Sequence, residues 1–241
     1  MKRGEQGWTQ TSYEAYLEEL AALGEASYGA FNARLIPGVT DMLGVRVPVL
    51  RRCAQEIARG DWRSFLEQSR SSIHEAVVLE GLVLGYARCE YREFCQRIRS
   101  FAEKVSNWAQ CDIPVSSFRN IRKFREAYLS ETDWMLNHEN PWVCRVGLVV
   151  LLDHYLEDSW VSAALRKAAG VHSDFYYVQM AQGWLIATAW AKNREETVSC
   201  LPELAFSGEV CRIAAQKIRD SFRISPEDKA LAPKLLTGKG C

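Results

Sequence analysis

The sequence predicts an all-α protein in which antiparallel helix pairs stack into a curved solenoid. Nearly every apolar segment has helical length and periodicity, and none shows the alternation of a half-buried strand. Helix starts at Glu75, Trp108, Trp142, Tyr176 and Val210 are separated by 33, 34, 34 and 34 residues. Such spacing is typical of repeats whose alternate helices line a concave face. An irregular helical domain with accidental spacing is the alternative.

The first helical signal covers Thr11 to Leu23, where apolar residues recur at amphipathic spacing. The pattern then weakens between Glu25 and Gly44. It is interrupted by Gly29, Pro37 and Gly38. This interruption predicts at most a short helix around Tyr28 to Leu35, followed by a loop.

Capping residues and turns divide the rest of the chain into helices. Asp61 is placed to cap a short helix, and Ser71 or Ser72 is expected to cap the apolar run from Ala76 to Ala87. The other helices are predicted over Val47 to Ala58, Trp62 to Gln68, Glu90 to Val105, Trp108 to Lys123, Glu126 to Asn137, Pro141 to Leu156, Trp160 to Ala169, Asp174 to Lys192, Glu195 to Leu204, Glu209 to Phe222 and Pro226 to Leu236. No low-complexity linker separates them, so a single domain over 1–241 is predicted, with a divergent segment at about 1–44.

Composition argues against several classes of protein. No apolar run approaches the roughly 18 residues of a membrane span, so no membrane contact is expected and a cytoplasmic location is the default. The eight cysteines form no C-x-x-C pair, and the four histidines form no H-E-x-x-H pattern. Buried, reduced thiols are therefore expected, with no metal and no cofactor. Thirty basic residues balance thirty acidic ones, which still permits a basic stripe on one face.

The stretch from Ser106 to Asp112 contains the principal candidate site. Trp108 and Asp112 are four residues apart, so both can project from one face of a helix. Arg145 and Trp184 occupy the corresponding broad face of later repeat helices. Stacking is predicted to bring these four side chains into one concave cleft.

Two basic groups accompany this site. On a nucleic-acid-binding interpretation they contact phosphates, and otherwise they form solvated faces. The first group is Arg119, Arg122, Lys123 and Arg125, and the second is Arg212, Lys217, Arg219 and Arg223.

These residues resemble the AlkD family of DNA alkylation repair proteins, which are solenoids of HEAT-like repeats. The resemblance extends from about Leu43-Gly44-Val45-Arg46 to Lys229. Its motifs are the W-x-x-x-D element at Trp108 and Asp112, the arginine at Arg145, and the G-W element at Gly183-Trp184. Three elements in order at repeat spacing are fairly specific.

The resemblance implies a reaction and a partner. The reaction is hydrolysis of the N-glycosidic bond of cationic N-alkylated purines such as 3-methyladenine and 7-methylguanine, in double-stranded DNA, by a monomer without a metal or cofactor. Asp112 would stabilise the cationic deoxyribose and orient water, and Trp108 and Trp184 would flank the sugar. Arg145 would bind a phosphate. The family leaves the base near the stack instead of rotating it into a pocket.

Other interpretations remain open. Trp108 and Trp184 can be core residues, and Asp112 can bond to its own helix or to a nearby arginine. Arg145 can form a structural ion pair instead of a phosphate contact. Active members use a well-formed helix near the N-terminus to grip DNA, whereas Glu25 to Gly44 is interrupted here. Met180 and Ala187 also stand where active members of the family have basic residues. The alternatives are therefore a non-catalytic binder of DNA or another nucleic acid, and a HEAT-type scaffold for protein partners.

Overall fold

The structure, a computed structural model, describes residues 7–36 and 38–236. Within these ranges the chain forms fifteen α-helices and two short 3-10 helices, and no strand. The all-α prediction is therefore confirmed for this part of the chain, whereas Pro37 and Cys241 lie outside it. The α-helices are α1 Gln10–Ala21, α2 Ala26–Leu35, α3 Val47–Arg59, α4 Trp62–Gln68, α5 His74–Tyr86, α6 Tyr91–Lys104, α7 Trp108–Val115, α8 Arg119–Lys123, α9 Arg125–Leu136, α10 Pro141–His154, α11 Val161–Ala169, α12 Tyr176–Lys192, α13 Arg194–Cys200, α14 Gly208–Asp220 and α15 Pro226–Leu236.

The predicted repeat spacing coincides with real helices. Helices α5, α7, α10, α12 and α14 each begin within about two residues of the predicted start. The described residues form two compact units, divided in sequence between Arg125 and Glu126. A single domain over 1–241 stays a prediction.

In the first unit, α5 packs against α3, α6, α7 and α8. Every residue from His74 to Gly85 is buried. A helix surrounded by neighbours has no solvent face to make polar, which explains its continuous apolar run. The outer helix α6 is amphipathic instead and buries Phe94, Ile98 and Phe101.

The interrupted N-terminal segment forms one helix and an ordered connection. Gly29 lies inside α2 and does not end the helix. Its lack of a side chain lets the connection pass close to α2, since a Cβ at Gly29 would lie 3.2 Å from Gly44 Cα. Gly44 has a φ of 76°, a conformation that glycine adopts without strain. The short helix predicted around Tyr28 to Leu35 is confirmed, and it begins two residues earlier, at Ala26.

A buried carboxylate anchors this connection to α5. Glu75 is 2 % exposed, and its two oxygens accept hydrogen bonds from the backbone N–H groups of Leu43, Gly44 and Val45 at 2.8, 2.7 and 3.2 Å. Three backbone donors without secondary-structure partners are thereby satisfied. Glu75 therefore holds the connection in place on the N-terminal turn of α5.

The predicted cap of α5 is wrong. Ile73 occupies the N-cap position without a side-chain bond, and Ser71 Oγ instead accepts a hydrogen bond from Ile73 N–H at 3.2 Å. The His74 N–H donates to the Asp41 carbonyl at 3.0 Å. A tertiary contact with the N-terminal connection thus replaces the local cap.

The predicted helix from Trp108 to Lys123 is wrong in its length, because the structure divides it into α7 and α8. Pro114 has no N–H, and Ser117 and Phe118 N–H donate to carbonyls three residues earlier, at 2.8 and 3.0 Å. Arg51 then donates to Ser117 Oγ at 2.7 Å and to the Ile113 carbonyl at 3.2 Å. The end of α7 is therefore fixed by a side chain from α3.

The second unit has the same arrangement of inner helices, in which α12 packs against α10 and α14. Gly183 permits the closest approach, since a Cβ there would lie 2.4 Å from Ile213 Cγ2 on α14. The predicted helix from Glu195 to Leu204 is too long. It ends at Cys200 and continues as a 3-10 turn, because Pro202 cannot donate a helical hydrogen bond.

We predict that Glu75→Ala lowers the free energy of unfolding by about 2–4 kcal/mol, because three backbone N–H groups lose their acceptor. Glu75→Gln keeps one carbonyl oxygen and should lose less. Urea unfolding followed by circular dichroism measures both variants. A loss below about 1 kcal/mol for Glu75→Ala would show that the connection finds other acceptors.

We predict that Gly183→Ala is destabilising by about 1–3 kcal/mol, because the added methyl group must displace Ile213. Gly170→Ala is the matched control, since its nearest contacts are carbonyl oxygens at 3.5 and 3.9 Å and its φ is −73°. The control should match the wild-type protein in urea unfolding. Equal stability of both variants would contradict close packing of α12 on α14.

Candidate functional site

Trp108 and Asp112 lie one turn apart on α7, as predicted. Both side chains are partly exposed, whereas Ala109, Gln110 and Cys111 between them are buried. The buried side of α7 packs on α5. The indole and the carboxylate, together with Ile113, therefore form the partly exposed side of a helix whose other residues are buried.

Buried amide side chains fix the start of α7. Asn107 Oδ1 accepts hydrogen bonds from Ala109 and Gln110 N–H at 3.1 and 3.0 Å, as an N-cap does. Gln110 Oε1 accepts from Ser106 N–H and Ser106 Oγ, each at 3.0 Å. The Trp108–Asp112 pair is thus positioned by hydrogen bonds on the buried side of the same helical turn.

His74 of α5 adds a tertiary contact to this cap. Its Nδ1 lies 3.4 Å from Asn107 Nδ2. Burial lowers the pKa of His74, and the adjacent Glu75 carboxylate opposes that shift only in part. The imidazole is therefore neutral near pH 7 and forms a structural contact beneath the Trp108–Asp112 pair.

The N-terminal segment reaches the candidate site directly. The Trp108 indole Nε1 donates to the Leu35 carbonyl in the last turn of α2, at 3.1 Å. Phe31 and Leu35 of the same helix are 59 % and 51 % exposed. No sequence signal identified this contact, because it joins residues that are 73 positions apart.

Arg145, which the sequence predicts to bind a phosphate, is buried in the structure. It is only 5 % exposed, and its Nη1 donates to the Tyr177 carbonyl at 2.5 Å. The Tyr177 ring stacks on Trp142 with centroids 5.0 Å apart. Arg145 therefore fastens the start of α12 to α10 beneath a group of aromatic rings.

Trp184 is partly exposed on α12, eight residues after the helix start. Its indole N–H has no hydrogen-bond partner among the described residues. Gly183, which precedes it, faces α14. Trp184 therefore remains available to a ligand, whereas its neighbours pack. The prediction that all four residues share one cleft stays a prediction.

The basic residues predicted to bind DNA fall into two kinds. Arg119, Arg122 and Lys123 are exposed, and Arg119 lies 5.1 Å from the centre of the Tyr86 ring. Arg212 instead forms an exposed two-bond pair with Glu209, at 2.8 and 2.6 Å. Its charge is therefore partly neutralised before any ligand arrives.

Lys217 of α14 is half-buried beside another cation. Burial lowers the pKa of Lys217, the charge of Arg145 lowers it further, and Asp220 opposes both effects. Lys217 is therefore a partly buried cation that interacts with both Arg145 and Asp220, and its contact with a phosphate stays a prediction.

The described residues contain no group of three His, Cys, Asp or Glu side chains able to hold a metal ion. The seven described cysteines are free thiols, and six of them are buried. Burial raises the pKa of Cys89 and Cys144 to about 11, so these thiols are poor nucleophiles near neutral pH. None of the described helices combines the length and the apolarity that crossing a bilayer requires.

Comparison with known proteins identifies the family. The family model of the DNA alkylation repair enzyme matches residues 16–202, most of the 241-residue chain, and this range contains Trp108, Asp112, Arg145 and Trp184. A search of curated proteins gave no match. The chain belongs to the DNA alkylation repair enzyme family.

Proposed function

We propose that the protein is a DNA glycosylase that removes cationic N-alkylated purines, such as 3-methyladenine and 7-methylguanine, from double-stranded DNA. The observation that carries this proposal is the exposure of Trp108 and Asp112 on a helix whose other side is buried and held by hydrogen bonds. Preorganised groups of this kind cost little to align when charge develops in a transition state.

The proposed reaction hydrolyses the bond between C1′ of the deoxyribose and the purine nitrogen. The bonding electrons move to the alkylated base, which leaves as a neutral molecule, and positive charge develops on the sugar. The Asp112 carboxylate stabilises that charge and orients the attacking water, whose oxygen bonds to C1′ and whose released proton passes to the surrounding solvent water. The electron-rich face of Trp108 adds attraction for the cationic sugar.

Residues of both units are proposed to bind the DNA backbone. Trp184 would contact a sugar and its phosphate through an accessible indole, and Arg145 would hold a phosphate. Further phosphate contacts are assigned to Arg119, Arg122, Lys123, Arg212 and Lys217. Binding that rests on such contacts weakens as salt concentration rises.

The same proposal includes the architecture. In the first unit α3, α5 and α7 pack in succession, and in the second α10, α12 and α14 do so. We propose that these inner helices and their outer partners are HEAT-like repeats, because the inner helices from α5 to α14 begin at a nearly constant interval. The curved solenoid over the whole chain stays a prediction.

A second candidate is a nucleic-acid binder without glycosylase activity. The burial of Arg145 favours it, because a guanidinium that donates to the Tyr177 carbonyl must be uncovered before it can hold a phosphate. On this view the protein binds DNA and releases no base, and replacing Asp112 changes nothing.

We predict that Asp112→Asn lowers the rate of release of 7-methylguanine and 3-methyladenine from duplex DNA by about 10²–10³-fold, because the amide carries no charge to stabilise the sugar cation. Single-turnover release of free base is the measurement. Asp133→Asn, which changes an exposed carboxylate on α9, is the matched control and should retain full activity.

Both variants must keep the wild-type helical signal and melting temperature. No release by the folded wild-type protein would overturn the glycosylase proposal in favour of the binder. Release that is equal in Asp112→Asn and the wild-type protein would remove the role assigned to Asp112.

We predict at least about a hundredfold preference for cationic alkylpurines over uracil, since a neutral base needs a proton donor to leave and the proposed mechanism supplies none. Uracil release from an otherwise identical duplex is the comparison. Efficient uracil excision by the pure protein would contradict a mechanism based only on stabilising the sugar cation.

A further inference from the structure

The first unit contains a second concave surface, separate from the Trp108–Asp112 pair. It consists of two adjoining cavities of about 620 and 460 Å³, both lined by Tyr86, Arg88 and Arg119. Arg59 lines the larger cavity and Lys123 the smaller one. We call this surface, formed by these five residues, the basic groove.

The groove lies at the other end of the inner helices from Trp108. Tyr86 is the last residue of α5 and Arg119 follows the end of α7, whereas Trp108 is the first residue of α7. Arg59 is the last residue of α3. A ligand in the groove therefore contacts a part of the unit that is distinct from the candidate catalytic pair.

The cations of the groove are largely uncompensated. Arg59 and Arg88 are exposed, and neither has an ion-pair or hydrogen-bonding partner for its side chain among the described residues. The larger cavity has no acidic residue in its lining, and the smaller cavity has only Glu90. Arginines that face each other without carboxylates favour binding of an anion.

Two sets of hydrogen bonds hold the groove in shape. Arg51 Nη1 donates to Tyr86 Oη at 3.1 Å and to Ser117 Oγ at 2.7 Å, which joins α3, α5 and the turn after α7. Asn120 Nδ2 donates to the Ala87 carbonyl at 2.8 Å, which fixes the connection that carries Arg88 beside α8. The cations are therefore presented by a preformed surface.

The chemistry of Tyr86 agrees with a cationic environment. Burial alone would raise the pKa of Tyr86, but hydrogen bonds with Arg51, Ser117 and Gln55 outweigh it and the pKa lies below its usual value. The ring also has the Arg119 guanidinium 5.1 Å from its centre. The Tyr86 hydroxyl is therefore held by a hydrogen-bonded network around Arg51, and its ring contacts one of the groove cations.

We propose that the basic groove binds the phosphodiester backbone of a nucleic-acid strand, and that Arg59 and Arg88 there extend the phosphate contacts proposed above for Arg119 and Lys123. The cations are spread over two adjoining open cavities. They therefore suit a chain of successive phosphates better than a single phosphate group. The identity of the anion as nucleic acid rests on the proposed function. The contact would increase affinity without taking part in the reaction.

The test measures binding of the full-length protein to a fluorescein-labelled, undamaged DNA duplex by fluorescence anisotropy over a range of salt concentrations. The groove variant is Arg59→Ala with Arg88→Ala. The control variant is Arg70→Ala with Arg92→Ala, which removes the same charge from exposed arginines outside the groove. Arg59→Lys with Arg88→Lys restores the charge and should recover most of the binding.

The groove variant should bind at least about tenfold more weakly, and its slope of log affinity against log salt should fall by about 1.8, since each phosphate contact contributes roughly 0.9. The control variant should bind like the wild-type protein. Affinity and slope that are the same in all variants would overturn the proposal. Unchanged melting temperatures exclude misfolding as the cause of a loss.

Two further measurements separate this proposal from its alternatives. Single-turnover release of 7-methylguanine at saturating protein should be unchanged in the groove variant. If the wild-type protein releases no base but the groove variant still binds DNA more weakly, the glycosylase proposal is refuted and the groove proposal is supported. The second measurement is the rise in melting temperature caused by ADP. If ADP raises it in the wild-type protein but not in the groove variant, while DNA binding is unchanged, the ligand of the groove is a free phosphate compound and not a nucleic-acid strand.

Discussion

Satisfying buried polar groups is the constraint on which the rest of the structure depends. The inner helices α5, α10 and α12 are buried on almost every side, so a polar residue on them must find a partner inside the protein. Three of these side chains bond backbone groups of a neighbouring segment: Glu75 the N–H groups before α3, Arg145 the Tyr177 carbonyl at the start of α12, and Gln182 the carbonyls of Ala168 and Val171. Glu80 of α5 instead bonds the side chains of Ser69 and Lys104. Polar side chains of the inner helices thereby hold backbone segments at the ends of adjacent helices.

Local periodicity made most of the helices predictable, whereas tertiary partners decided where some of them end. Trp108 and Asp112 share a face because four residues make one turn, which the sequence alone contains. The break after Val115 depends on Arg51 of another helix, and the burial of Arg145 depends on a carbonyl 32 residues away. The contact between Trp108 and Leu35 has the same character. Such details need the packed structure, because no local pattern encodes them.

The balanced overall charge conceals an uneven arrangement of cations. Arg63 and Arg212 are paired with nearby carboxylates, and Arg51 is committed to hydrogen bonds inside the first unit. Arg59 and Arg88 have no such partner among the described residues. Net charge therefore says little about affinity for a polyanion, which depends on the cations that the fold leaves uncompensated.

The bond between the Trp108 indole and the Leu35 carbonyl links the candidate site to a helix that buries few of its own residues. Helix α2 has no side-chain cap, buries only Gly29, and exposes Phe31 and Leu35. Local opening of such a helix costs less free energy than unfolding of the unit as a whole. Each opening releases the indole from its acceptor, so the conformational freedom of Trp108 is set by the local stability of α2. The order of a residue in the candidate site is thus controlled by a segment that contributes little to the core.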